Sequence, residues 1–232
     1  MGKASDSTKQ NIADCFMELV ATSPDARKRI DVTTLVKTLG IDRKTFYNHF
    51  DNTADLAIWI FRTQVARMLR KREFVRADLG YPAPELHDKY EDMPCYARFP
   101  GYLPGTLNQG VFFREQGMVL AGNEQYYRRI FSYPCYLDFQ RYVETLTIPL
   151  IREDIDIMLG PNRRLPEEIK EFLAEYHAVG IWGRVRLYYL YKNRGFPVKE
   201  LESFWNYSHE MLRMTLDALF DGNSQRIRPF GL

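Results

Sequence analysis

Cysteine is scarce. Cys15, Cys95 and Cys135 are the only three in 232 residues, odd in number and far apart. That argues against a disulfide framework or a cysteine-built zinc site and leads to the expectation of a reducing, cytoplasmic setting. Long hydrophobic runs are also missing, since nothing approaches the roughly 18 uninterrupted apolar residues that a membrane span needs. The start, Met1 to Asp6, is polar and lacks an apolar signal core, so no membrane partner is expected. There is no phosphate-cradling glycine loop, dinucleotide fingerprint or nucleophile elbow. His209-Glu210 begins a zinc-protease-like helix, but Arg213 stands where the second histidine would be needed. Asp154 and Asp156, two apart on a helix, point to different faces and read as salt-compensated surface. The expectation is therefore a protein that is not an enzyme, with no cofactor and no metal. Cys95 is a candidate oxidant sensor, although an inert thiol is the more common case.

What is present is helix. Ile12, Phe16, Leu19 and Val20 form one buried stripe on a first helix from about Thr8 to Ala21. Asp31 caps a short second helix carrying Val32, Leu35, Val36 and Leu39 inward, and Gly40 stops it. Asp42 caps a third short helix running to about His49. Asn52 caps a long fourth from Thr53 to about Arg72, with Asp55 placed as its capping-box acid. Between Gly80 and Gly110, five prolines and several glycines exclude a continuous helix, while several tyrosines and phenylalanines promise packing. Helical pattern resumes at about 111–121, 123–132 and 136–159. Two long helices, Pro166 to Asn193 and Val198 to Phe220, follow, separated by Gly195 and Pro197. The fold class expected is all-α: a three-helix head at residues 1–69 including its connector helix, a helical body at 70–222 and a tail at 223–232.

Charge of one sign gathers at the front. Residues 1–75 hold thirteen basic and nine acidic side chains, whereas the whole chain carries only +2. A basic N-terminal third suits a polyanion. Two capped helices joined at a glycine match a helix-turn-helix, whose second helix enters the major groove of double-stranded DNA. Phe46 and Phe50, four apart, anchor that helix from beneath. Arg43, Lys44, Thr45, Tyr47, Asn48 and His49 then face outward as the candidate DNA-binding residues. Arg43 and Lys44 suit guanine, Asn48 adenine, and Thr45 a thymine methyl, while Tyr47 and His49 suit phosphates. The competing reading is an ordinary solvated helix face.

The run Gly40-Ile41-Asp42-Arg43-Lys44-Thr45-Phe46-Tyr47-Asn48-His49-Phe50, followed by Asn52, Asp55 and Leu56, resembles the DNA-binding region of the TetR family of transcriptional regulators. The C-terminal body is similar to the dihydroxyacetone-kinase regulator type, as in the joint from Leu190 to Leu201. Two departures stand out. Thr53 occupies the place of the family's usual phosphate-contacting lysine, and Asp42 that of its usual serine cap. The resemblance implies a TetR-like fold and a homodimer on a near-palindromic operator. It also implies repression relieved by a small-molecule effector bound in the body.

The body supplies candidates for both remaining roles. A cavity walled by the 80–110 segment is expected to hold the effector, lined by Trp59, Thr63, Tyr102, Tyr127, Phe139 and Trp182; plain core packing is the alternative for each ring. Gly180 and Gly183, beside a stripe containing Leu201, Trp205 and Leu212, are the candidate dimer interface. Two other functions remain open. One is an accessory interaction protein that kept this fold but acts by binding another regulator, and the other is a small-molecule enzyme with a vestigial head.

Overall fold

Asp31, Asp42 and Asn52 organise the head of the molecule. Each holds extended backbone and turns its side-chain oxygen onto the first free amides of the helix that follows. Asp31 accepts from the Thr34 amide at 2.7 Å, Asp42 from the Thr45 amide at 2.6 Å, and Asn52 from the amides of Ala54 and Asp55. In this computed structural model, residues 2–25, 27–101, 105–191 and 200–220 are described, with side chains from residue 6 onward. The helices of the head are α1 (Gly2–Thr22), α2 (Val32–Leu39), α3 (Arg43–Tyr47) and α4 (Thr53–Met68). Gly40 ends α2 at φ 67°, where a side chain would strain the backbone, and its amide reaches back to the Lys37 and Val36 carbonyls. Phe16, Leu35, Phe46 and Leu56 close the small core between them.

The body contains α5 (Gly110–Gly122), α6 (Glu124–Ser132), α7 (Leu137–Leu159), α8 (Glu167–Leu190) and α9 (Leu201–Phe220). Helices α7 and α8 pack along one another, α6 lies on α8, and α9 lies on α5. Head and body share one continuous hydrophobic core. Helix α1 rests on α6, with Phe16 edge-on to Tyr126 at 6.3 Å between centroids. Arg29, just before α2, pairs with Asp138 at the start of α7. The joint around Gly195 and Pro197 and the tail at 223–232 lie outside the described residues. All-α is thus the architecture, with one local exception.

That exception lies in the proline- and glycine-broken stretch. Strand β1 (Asp78–Gly80) pairs antiparallel with β2 (Tyr96–Arg98), Gly80 opposite Tyr96. A β-carbon on Gly80 would stand 2.9 Å from that of Tyr96 and 3.0 Å from the Leu150 side chain, so the close approach of this strand to α7 requires glycine. Two buried ion-pair networks fasten the stretch. Asp154, fully buried on α7, accepts from Arg98 Nε at 2.5 Å, Tyr96 Oη at 2.7 Å and Gln109 Nε2 at 2.9 Å. Asp154 is therefore an internal tie rather than the exposed surface acid expected from the sequence. Its oxygens are occupied by partners that α7 itself does not supply.

The second network centres on Arg62 of α4, which has no exposed surface at all. Its guanidinium donates to Asp88 Oδ1 at 3.1 Å, to Tyr142 Oη at 2.7 Å, to the Tyr90 carbonyl at 2.8 Å and to the Met93 carbonyl. Tyr142 donates onward to Asp88 Oδ2 at 2.7 Å. Removing one member of such a buried pair strands the other charge, at a cost of about 3–5 kcal/mol. Arg62→Met is expected to lower unfolding stability by about that amount. Adding Asp88→Asn should restore part of it, because the stranded carboxylate is then neutral. Urea denaturation of the single and double variants measures both effects.

Candidate functional site

Helix α3 is short and built to show its side chains. Phe46 and Phe50 are buried beneath it, 5.8 Å apart between ring centroids. Arg43, Lys44 and Asn48 are exposed, Tyr47 is 54% exposed, and Thr45 and His49 are half-buried. Tyr47 stands edge-on against Phe46, which fixes the direction of its phenol. Arg43 Nη2 donates to Thr33 Oγ1 of α2 at 2.7 Å, so α2 positions this guanidinium from the side. The Thr45 amide on Asp42 and the Thr34 amide on Asp31 hold both carboxyls below the usual carboxylate range. The helix thus begins on a carboxylate and displays arginine, lysine, asparagine and tyrosine. This is donor-rich chemistry for phosphates and base edges. Thr53 is buried in the first turn of α4, so that position offers no phosphate contact. Lys37, exposed in the last turn of α2, is a neighbouring cation.

The expected effector cavity is filled. Tyr127, Phe139 and Trp182 are buried rings of the core. Phe61 lies edge-on to Phe139 at 5.7 Å and to Trp182 at 5.8 Å, and Phe131 stacks on Trp182 at 5.7 Å. A void of about 20 Å³ bordered by Phe61, Gln116 and Trp182 remains, room for a water and not for an effector. Those three rings are corrected from pocket wall to core: apolar faces at aromatic distance interlock instead of parting. Tyr102 lies outside the described residues. Trp59 and Thr63 do line open space, but on another side of the molecule. They border a cleft of about 390 Å³ between α1, α4 and α5. Cys95 is buried, with its thiol pushed up to about 12 by burial and directed at the Gly80 carbonyl, which gives it the character of an inert core thiol.

The last two helices divide differently from the expected stripe. Leu201, Trp205 and Leu212 are buried inside the subunit, and Trp205 stacks on Phe113 of α5 at 4.1 Å. They are corrected to internal packing, because one helix face cannot serve both α5 and a partner. The outward face carries Phe172, Tyr176 and Val179 of α8 with Tyr207, Met211 and Met214 of α9, all exposed. Gly180 sits among them, and neither it nor Gly183 has any atom within 4 Å of an added β-carbon. Sequence periodicity found the apolar helix but not which side of it the rest of the subunit uses.

No family model matches the chain. It is similar to the HTH-type dhaKLM operon transcriptional activator DhaS of Lactococcus lactis subsp. lactis (strain IL1403), 36% identical over 67 residues. That alignment covers 29% of this chain and 35% of the relative, so about a third of the relative's length is matched. Among solved structures, a dihydroxyacetone kinase operon activator DhaS aligns over 90% of this chain and 96% of its own, at 19% identity and a TM-score of 0.47. The sequence similarity is thus to a transcriptional regulator.

Behind the outward face of α8 and α9 lie two histidines. His177 Nδ1 meets Ser208 Oγ at 2.9 Å, tying the two helices together. Burial holds His177 and His209 down at about 4, well below the usual imidazole value; Glu210 and Arg213 pull His209 in opposite directions. A folded-state value below the unfolded one means that both rings stabilise the fold while neutral. Their contribution is present above about pH 6.5 and is lost as pH falls toward 4. The thermal midpoint should drop between pH 7 and pH 5. In a His177→Gln, His209→Gln double variant, circular-dichroism melts should show a shallower drop.

Proposed function

We propose that this protein is a DNA-binding transcription regulator on the TetR plan, acting as a homodimer on a near-palindromic operator. The observation that carries the reading is α3: five residues capped by Asp42, seated on Phe46 and Phe50, with Arg43, Lys44, Tyr47 and Asn48 outward. A helix this short adds little stability of its own. Its outward side chains fit major-groove recognition better than plain solvation. The similarity to a transcriptional activator of a dihydroxyacetone-kinase operon supports the same class. Repression relieved by an effector is carried by the TetR resemblance, and activation is what the relative's name states of that protein.

Dimerisation is proposed through the outward face of α8 and α9, where Phe172, Tyr176, Tyr207 and Met211 surround a groove of about 750 Å³. Monomers rarely leave such a contiguous apolar patch in water. A twofold axis over Gly180 would build a four-helix contact and set two α3 helices for successive major grooves, about 34–36 Å apart.

Two measurements test this. Selection from a random DNA pool should enrich a two-half-site sequence. With six to ten phosphate contacts per dimer, its affinity should fall about 10³–10⁵-fold between roughly 50 and 200 mM salt. Arg43→Ala should weaken that site by about 1–3 kcal/mol and relax one base position. Enrichment of no sequence overturns the DNA reading. For assembly, Gly180→Leu is informative because an added β-carbon there meets no neighbouring element within 4 Å. Sedimentation should show the variant folded but monomeric, and a native-like dimer from this variant rejects the proposed face.

A further inference from the structure

The seam where the head meets α6 and the start of α7 is short of hydrogen-bond partners. Among the described residues, eleven buried side-chain nitrogens and oxygens have none, and five of them gather here. They are Nε and Nη2 of Arg29, Nη1 of Arg129 and the hydroxyls of Tyr126 and Ser132. Arg29 precedes α2 on the head side, and the other three residues stand on successive turns of α6. Tyr126 meets Phe16 of α1, so this stripe of α6 faces the head. The Arg29 guanidinium lies 5.7 Å over the Tyr136 ring. Burial raises the Tyr136 phenol, while the Ile30 amide and the charges of Arg29 and Arg129 pull it back, so both cations lie around this one ring. Unpaired buried donors concentrated in one place call for a polar partner from outside the chain.

Charge decides what kind of partner. Water satisfies a lone hydroxyl, but two guanidiniums on facing elements repel until an anion stands between them. Carboxylates near the seam are few and engaged. Asp138, its side chain 64% exposed, pairs with Arg29 Nη1 at 3.2 Å. Asp25, near Cys135, accepts the Arg27 amide at 3.0 Å. Among the described residues no carboxylate lies within salt-bridge distance of Arg129. Arg29, Arg129 and Ser132 are all partly exposed, so the seam can be reached from solvent. A planar carboxylate brings one charge and suits one such fork. A phosphate monoester brings nearly two charges and three acceptor oxygens, enough for both.

We propose that this seam is an anion site that takes the phosphate group of a small phosphate monoester between Arg29 and Arg129, with the Ser132 hydroxyl as a third donor. This names a ligand class for the effector part of the proposed function and rests on that reading. The position provides a mechanism as well. Arg29 stands two residues before Asp31, the cap of α2, and α2 supplies Thr33, which holds Arg43 of α3. An anion shared by Arg29 and Arg129 joins the entrance of α2 to α6 of the body. Occupancy therefore fixes the head at one distance from the body, and loss of the anion frees it.

Isothermal titration of the full chain, in chloride at constant ionic strength, compares inorganic phosphate, dimethyl phosphate and acetate. Phosphate should bind saturably, once per chain, and at least about tenfold more tightly than either other probe, a difference of about 1.4 kcal/mol. Dimethyl phosphate, with its single charge, stands for the DNA backbone; equal binding of this probe assigns the seam to nucleic acid and overturns the proposal. Arg129→Gln should weaken phosphate binding at least about tenfold. Its melting profile should be unchanged, because Arg129 gives up no ion pair. Ser132→Ala should weaken binding less. Arg67→Gln, exposed on α4 and outside the seam, should change nothing. No saturable binding, equal binding of acetate, or binding that survives both Arg129→Gln and Ser132→Ala overturns the proposal. Calorimetry uses no DNA, so such a failure is distinct from a failure of the DNA reading. At equal ionic strength, phosphate should also change operator affinity at least about threefold in the unaltered chain and not in Arg129→Gln. If phosphate binds the seam but leaves operator affinity unchanged, the seam is not an effector site.

Discussion

A buried guanidinium sets the terms for most of this molecule. Arg62 lies in the middle of α4, the helix that begins in the head and runs into the body, and it reaches no water. A polar group held that far from water is costly unless hydrogen-bonded, so the chain must bring partners to it. They come from the non-helical stretch, through Asp88 and the carbonyls of Tyr90 and Met93, and from α7, through Tyr142. The stretch is thereby held against two helices at once. Its far end is tied to α7 a second time by Asp154, which gathers Arg98, Tyr96 and Gln109. Burial pushes the phenols of Tyr90 and Tyr142 up, so both remain hydrogen-bond donors throughout the physiological range.

The same stretch also reaches the root of the head. Lys89 bridges Asp51 and Asp55 at 2.8 and 2.7 Å, and Tyr90 donates to the other oxygen of Asp55. Asp51 follows immediately on Phe50, and Asp55 accepts the Asp51 amide, one residue before the Asn52 cap rather than at the cap itself as a capping box would. The turn between α3 and α4 is therefore clamped from outside by residues some 35 positions later in the chain. With α1 lying on α6 and Arg29 held by Asp138, the head is mounted at three points rather than hung from one helix. A device that moves the head must act at one of these mounts or wedge between them.

Much of the head was legible in the sequence. Aspartate or asparagine before a short apolar period, then glycine, then a second capped run: each signal is local, and each cap is where the residue types placed it. The anchors Phe46 and Phe50 followed from their spacing. The body was legible as a set of helices but not as a surface. Trp205 and Tyr207 differ by two positions on α9, yet one stacks on Phe113 and the other faces outward. Periodicity marks an apolar face without saying what covers it. The supposed effector cavity failed for a related reason: Tyr127, Phe139 and Trp182 are rings of the kind that line pockets, and they are also the kind that fill cores. The short strands escaped notice because three residues each, next to proline and glycine, carry no period to read. The ion pairs of Arg62 and Asp154 were beyond reach, since their partners come from far along the chain.

Those separations bear on how the chain reaches its native state. Arg62 meets Asp88 across 26 residues and Tyr142 across 80. Until both arrive, seating α4 against the body would take a bare cation out of water, a cost no helix packing offsets. The cap-and-turn signals of the head act over three to five residues and can be satisfied early, whereas the final docking of α4 waits for loops that are expensive to close. The transition state should therefore hold a formed helix-turn-helix while the Arg62 cage is still open. Substitutions in the cage would then speed unfolding and leave the folding rate nearly unchanged. Lifetime of the native state, more than its speed of formation, is what this one arginine controls.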